Sequence, residues 1–188
     1  TFWIDKYEAS RPDASAIGEG IMNHTMCSEF NRIPWTGVSW TDADDACQAQ
    51  GKRLCTEQEW QLACEGLAGL NYPYGNGYDP EACNGNDYDH DCTNPDDDEV
   101  LPTGTAYGCP APVSSQCVSP FLTLDQSGNV MEWTGTQVGA TPVTYRIRGG
   151  SYFTVAAGLG CGFDFISAEV DFRYDDLGFR CCSDTYPP

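Results

Sequence analysis

Apolar residues recur along this chain with two different periods. Phe2 and Ile4 alternate with Trp3 and Asp5, a period of two that predicts an opening strand. Between residues 41 and 66 the spacing widens to three and four. TDADDACQAQG sets Ala43, Ala46 and Cys47 on one helical face, with Thr41 as the cap and Gly51 as the stop. TEQEWQLACEG does the same with Trp60, Ala63 and Cys64, behind a capping box of Thr56 and Glu59. From residue 69 onward Gly, Pro, Asn, Asp and Tyr interrupt each apolar run, which predicts irregular loops and short strands with no further helix. No repeat or low-complexity linker divides the chain. Residues 1–188 therefore read as one domain of α+β class, with two short helices and little regular secondary structure.

Composition narrows the setting. Nine basic against twenty-eight acidic side chains give a net charge of −19, which makes nucleic acid and anionic lipid surfaces poor partners. Eleven cysteines, with no CxxC repeat or zinc-module spacing, point to disulfides and an oxidising compartment. The chain starts at Thr1 and has no run of eighteen apolar residues, so the expectation is a mature secreted chain or an excised extracellular or periplasmic domain, without direct membrane insertion. Asn23-His24-Thr25 is a glycosylation sequon, meaningful only in a source that modifies such sites.

Two stretches gather oxygen ligands. In DQSGNVMEWTG, the carboxylates of Asp125 and Glu132 flank the carbonyls of Gly128 and Val130, which is either a metal site or a strand after a turn. In NGNDYDHDCTNPDDDEV, Asp87, Asp89 and Asp91 alternate as at the opening of an EF-hand, with Asp98 at its end. Cys92 occupies the position that needs Gly, however, and Pro95 stiffens the middle, so the choice lies between a solvated acidic loop and a looser calcium site. His90 has Asp89 and Asp91 beside it but no recognisable nucleophile.

Seven blocks, in order along nearly the whole chain, resemble the formylglycine-generating enzyme (sulfatase-modifying factor) family: WIDKYEAS, PWTGVSWTDADDACQAQGKRLCTEQEWQLACEG, YPYGN, APVSS, LTLDQSGNVMEWTG, RIRGGSY and LGFRCC. The resemblance implies an irregular α+β fold similar to C-type lectins, held together by calcium and disulfides. Its calcium pattern falls on Asp125, Gly128, Val130 and Glu132. A second calcium site would fall on Asn84, Gly85 and Tyr107, with Thr105 where the family has a carboxylate. The resemblance also implies Cys47–Cys181 and Cys64–Cys161 disulfides. Proximity in sequence or in the implied fold adds Cys55–Cys182, Cys83–Cys92 and Cys109–Cys117, which leaves Cys27 over.

The same resemblance bears on activity. Members that make formylglycine bind copper through two cysteines, and those positions are Thr154 and Leu159 here. Cys161 alone cannot supply a two-thiolate site, and His24 and His90 are too few for the three-histidine iron site of related sulfoxide synthases. The favoured expectation is a secreted, calcium-stabilised, non-catalytic module that binds a protein or glycan ligand or builds a surface assembly. The alternatives are an oxidoreductase acting on peptidyl cysteine with an altered metal site, and a self-associating structural subunit. Phe153, Phe163, Phe165, Phe172, Arg173 and Tyr174 crowd the segment after GGSY and are either core or an interaction face.

Overall fold

The computed structural model describes residues 1–89, 99–108, 111–164 and 166–186. Both helices form where the wider period places them. α1 (Trp40–Gln48) buries Ala43, Ala46 and Cys47, and α2 (Glu57–Glu65) buries Trp60, Ala63 and Cys64. At the start of α2 the capping box is complete: the Thr56 hydroxyl accepts from the Glu59 amide, and the Glu59 carboxylate accepts from the Thr56 amide at 2.9 Å. The cap of α1 is Ser39 rather than Thr41, because Ser39 is extended and its hydroxyl accepts from the Asp42 amide at 3.2 Å. Trp40 thereby enters the first turn, where its indole N–H donates to the Thr134 carbonyl at 2.9 Å and its ring stacks on Tyr145. The helix closes at Ala49, and Gly51 follows as a turn residue with positive φ.

Among the described residues nine strands make three sheets: β1 (Trp3–Ile4), β2 (Arg53–Leu54), β3 (Thr105–Gly108), β4 (Ala111–Ser114), β5 (Met131–Ala140), β6 (Val143–Arg148), β7 (Ile166–Glu169), β8 (Leu177–Phe179) and β9 (Cys181–Ser183). β9 lies between β1 and β2, β3 pairs with β4, and the remaining four run in the order β7-β6-β5-β8. The opening strand is shorter than its alternation suggested, whereas β5 reaches ten residues. The first four residues of β5 are all buried, so no alternation marks them in the sequence. A 3-10 turn at Ala156–Leu159 is the helical structure found after α2 among the described residues.

The end of the chain joins two sheets. β8 pairs parallel with β5, Glu132 opposite Gly178 and Trp133 opposite Phe179, while β9 pairs with Ile4 and Leu54 through Cys182 and Cys181. Only Arg180 separates these two strands. The main core packs Trp35, Val38, Ala43, Cys47, Trp133 and Phe179 together, and a second cluster holds Trp60 among Cys55, Cys64, Cys161 and Cys182.

Disulfides lock this junction. Cys47–Cys181, Cys55–Cys182 and Cys64–Cys161 form as expected. The fourth bond is Cys83–Cys117, which corrects both Cys83–Cys92 and Cys109–Cys117. Its cause is tertiary: the segment at Asn84 lies against the 125–129 loop, where the Asn129 amide donates to the Asn84 carbonyl at 2.7 Å. Cys92 and Cys109 lie outside the described residues. Cys27 is free and partly buried.

Cys47–Cys181 and Cys55–Cys182 span 134 and 127 residues and end on adjacent cysteines, so they close nearly the same loop. Each bond would constrain the unfolded chain by about 5 kcal/mol alone, and either one supplies most of that when the other is intact. Replacing Cys55 and Cys182 by Ala should therefore lower stability by only about 2–3 kcal/mol beyond the lost packing, and removing both bonds should cost more than the two separate losses summed. Denaturant unfolding of the two double variants and the quadruple variant checks this; additive losses would refute the shared-loop account.

Candidate functional site

The loop entering β5 surrounds a buried charge cluster. Arg180 and Glu132 are both fully buried. Glu132 Oε1 accepts from Arg180 Nε at 2.9 Å and Nη2 at 2.7 Å; Oε2 accepts from Arg180 Nε at 2.8 Å and from Trp60 Nε1 at 2.7 Å. The rest of the guanidinium donates to the carbonyls of Asp5, Lys6 and Leu124. One side chain thus ties the amino-terminal segment, the loop before β5, β5 itself and the chain end.

Two further carboxylates adjoin the pair. Glu8 is buried, its Oε2 accepting from Asn129 Nδ2 at 2.6 Å and its Oε1 from the Val130 amide at 3.2 Å. Asp125 Oδ2 accepts from the Gly104 amide at 2.6 Å. Burial pushes Asp125 up to about 6, with Glu132 adding to the rise while Gly104, Ser115 and Arg180 oppose it. Burial also drives Glu8 well above the usual carboxylate range, helped by Asp125 and Glu132 and opposed by Arg180 and Asn129. The loop is held in an uncommon conformation: Asp125, Gly128 and Asn129 all have positive φ. At Gly128 a Cβ would lie 2.1 Å from the Asn84 carbonyl oxygen, so that position excludes any side chain.

The sequence-predicted metal residues are thus only partly brought together. Asp125, Gly128, Val130 and Glu132 share this loop, and Asn84 and Gly85 pack against Gly128 and Asn129. Tyr107 lies on β3, opposite Pro112. The fit to calcium at Glu132 is poor. Three N–H groups, Arg180 Nε and Nη2 and Trp60 Nε1, make the four short contacts to this carboxylate, so a cation here would have to share it with a guanidinium. Nor do three His, Cys, Asp or Glu side chains converge as a metal cluster among the described residues. The cation beside these carboxylates is Arg180. Asp87 accepts from the Tyr78 hydroxyl at 2.9 Å, and Asp91 and Asp98 lie outside the described residues.

Sequence reasoning assigned no role to Glu8, Asn129 or Arg180, although all three lie inside quoted blocks. Asn129 makes four hydrogen bonds: its Oδ1 accepts from Asn84 Nδ2 and the Leu101 amide, and its Nδ2 donates to Glu8 and the Leu101 carbonyl. The available signal for Arg180 was a charge set between Phe179 and two cysteines in an otherwise apolar strand pattern.

The copper positions serve structure. Thr154 Oγ1 accepts from the Ser151 amide at 2.9 Å, and Leu159 is buried against Gly85. The neighbouring thiol, Cys161, is bonded to Cys64. Beside these positions an open cavity of about 480 Å³ is lined by Met131, Ser151, Phe153, Ile166, Phe172 and Tyr174, among others. Phe153, Phe163, Phe172 and Tyr174 are 57%, 42%, 37% and 58% exposed, which makes them a surface rather than core. Arg173 reaches sideways to Asp42 and the Gly37 carbonyl, and Phe165 lies outside the described residues.

Removing one partner of the buried pair leaves the other uncompensated, so Arg180→Met should cost about 3–5 kcal/mol, and pairing it with Glu132→Leu should recover much of that. Excess chelator should leave the melting temperature unchanged; a fall of several degrees, with calcium in the purified protein, would place an ion at this loop. Asp125 has a folded value raised above its unfolded one, so its contribution, on the order of 3 kcal/mol, is present below about pH 4 and lost as pH rises through about 6. Melting temperature should therefore fall from pH 5 to 7, less steeply in Asp125→Asn; an unchanged slope would refute the assignment.

Comparison with known proteins agrees with this architecture. The chain is 31% identical over 196 residues to "Inactive C-alpha-formylglycine-generating enzyme 2" of Bos taurus, covering 97% of this chain and 58% of that protein. It is likewise 31% identical to a formylglycine-generating enzyme of Streptomyces coelicolor, over 80% of this chain and 52% of that one. The chain therefore spans a little over half the length of these relatives. Among solved structures, CarF superposes with a TM-score of 0.61 at 20% identity, covering 97% of this chain and 85% of that chain. Residues 2–185 match the FGE-sulfatase family, described as the sulfatase-modifying factor enzyme 1-like domain, and the chain belongs to that family, with its C-type-lectin-like α+β fold.

Proposed function

We propose that this chain is a secreted, non-catalytic module that has kept the scaffold of its family and uses the face beside GGSY to bind a ligand. The observation that carries this reading is the state of the copper positions. Thr154 and Leu159 are not ligands left vacant; one closes a turn with Ser151, the other is buried packing, and Cys161 is held in a disulfide. Copper(I) held by protein thiols needs two soft donors at one place, and none is offered here. The name of the bovine relative, an inactive enzyme, supports the same direction. Four disulfides suit an oxidising compartment and so support secretion.

The open face supports binding over self-assembly through a disulfide. Aromatic side chains beside a cavity are common anchors for a ligand. Cys27, by contrast, is partly buried, and burial followed by the nearby Glu29 raises its thiol pKa, which disfavours the reactive thiolate.

The reading is tested by anaerobic copper(I) titration of the intact chain, followed by incubation with a cysteine-containing peptide and oxygen. No stoichiometric copper uptake and no aldehyde product are expected. Tight uptake of one copper per chain with oxygen-dependent turnover would overturn the proposal and restore the oxidoreductase alternative.

A further inference from the structure

Beneath the aromatic rim lies a carboxylate that the fold does not complete. Asp176, just before β8, lines the same cavity and is only 4% exposed. Its Oδ1 is buried without a hydrogen-bond partner; the favourable influences on the carboxylate are Ser151 and the residue's own backbone, and the charge beside it is another acid, Asp175. Glu132, fully buried, receives three N–H donors, two of them from a guanidinium; no cation acts on Asp176. A buried carboxylate oxygen without a donor is unfavourable until one reaches it. The walls match a positive group as well as the floor does. Phe172 and Tyr174 lie parallel, 4° between planes and centroids 6.1 Å apart, and Phe172 is steadied edge-on by Trp133. Such ring faces attract cations.

We propose that this cavity, floored by Asp176 and walled by Phe153, Phe172 and Tyr174, is a binding site for an organic cation, an ammonium group carried on an apolar body. Other occupants fit less well. An anion would meet a carboxylate with no Arg or Lys among the lining residues. A purely apolar ligand would seal Asp176 Oδ1 away from any donor. A hard metal ion requires six or more oxygens, more than the side chains of Asp176, Ser151, Thr154 and Tyr174 together supply. The volume of about 480 Å³ is within the range of small-molecule sites. This proposal rests on the reading of the face as a ligand-binding surface and names the chemistry that it would recognise.

Calorimetric titration of the intact chain with 2-phenylethylammonium and with its neutral analogue 2-phenylethanol tests the site. The cation should bind about tenfold or more tightly than the alcohol, since one charge-assisted hydrogen bond and one ring contact are at stake. Asp176→Asn should lower cation affinity about tenfold and leave the alcohol unaffected. Phe153→Ala and Tyr174→Ala change exposed residues, so they should fold normally and weaken the cation about threefold or more, while Phe121→Ala, outside this cavity, should change nothing. Should Asp176→Asn fail to fold, the two aromatic variants decide. Equal affinity for both probes, full cation affinity in the folded variants, or no cation binding below about 10 mM would overturn the proposal. Those failures are distinguishable from failure of the non-catalytic reading, which only copper uptake and turnover would bring down.

Discussion

The buried pairing of Arg180 with Glu132 is the interaction through which the parts of this molecule are joined. Arg180 is the single residue between β8 and β9, and these strands belong to different sheets. Its guanidinium reaches Glu132 on β5, the carbonyls of Asp5 and Lys6 near the start of the chain, and that of Leu124 before the strained loop. An isolated buried charge pair adds little net stability, because removing both ions from water offsets most of their attraction. What it contributes here is uniqueness. A guanidinium with three carbonyls and a carboxylate arranged around it permits one arrangement of four segments, and the adjacent Cys181 and Cys182 make that arrangement covalent.

A fold so poor in regular structure needs such devices. Its helices contribute nine residues each, and strands of two or three residues cannot hold a sheet by backbone hydrogen bonds alone. Indole N–H groups fill the gap: Trp40, Trp60 and Trp133 each donate to an acceptor distant in sequence, Thr134, Glu132 and Val38 respectively. Asn129 does the same with an amide. These side chains perform the role that backbone ladders perform elsewhere, and each substitutes a specific geometry for a repetitive one.

The exposed aromatic face is the counterpart of that rigid frame. Ser151, Thr154 and Asp176 are fixed at its base by short-range bonds and by the parallel pairing of β8 with β5, while the aromatic residues of the following segment stand exposed. Rigid support beneath and exposed aromatic side chains above is a division of labour that would suit recognition. Thr154 and Leu159 belong to that support, one through its hydroxyl to the Ser151 amide and the other through burial against Gly85.

Local features of the fold were legible in the sequence. The capping box of Thr56 and Glu59, the inner faces of both helices and the acidic, cysteine-rich character depend on residues within a few positions of one another, and short-range chemistry decides them. The block order carried the family, and with it the Cys47–Cys181 and Cys64–Cys161 disulfides. The tertiary structure decided the rest. Ser39 rather than Thr41 caps α1 because Trp40 is drawn to Thr134, far away in the chain. Cys83 chose Cys117 because the 125–129 loop brings its segment there. Glu132 reads in sequence as a hard-metal ligand, and the fold brings to it Arg180 and Trp60, forty-eight and seventy-two positions distant. A carboxylate's chemistry is the same in either setting; which donor meets it is fixed only when the chain has folded.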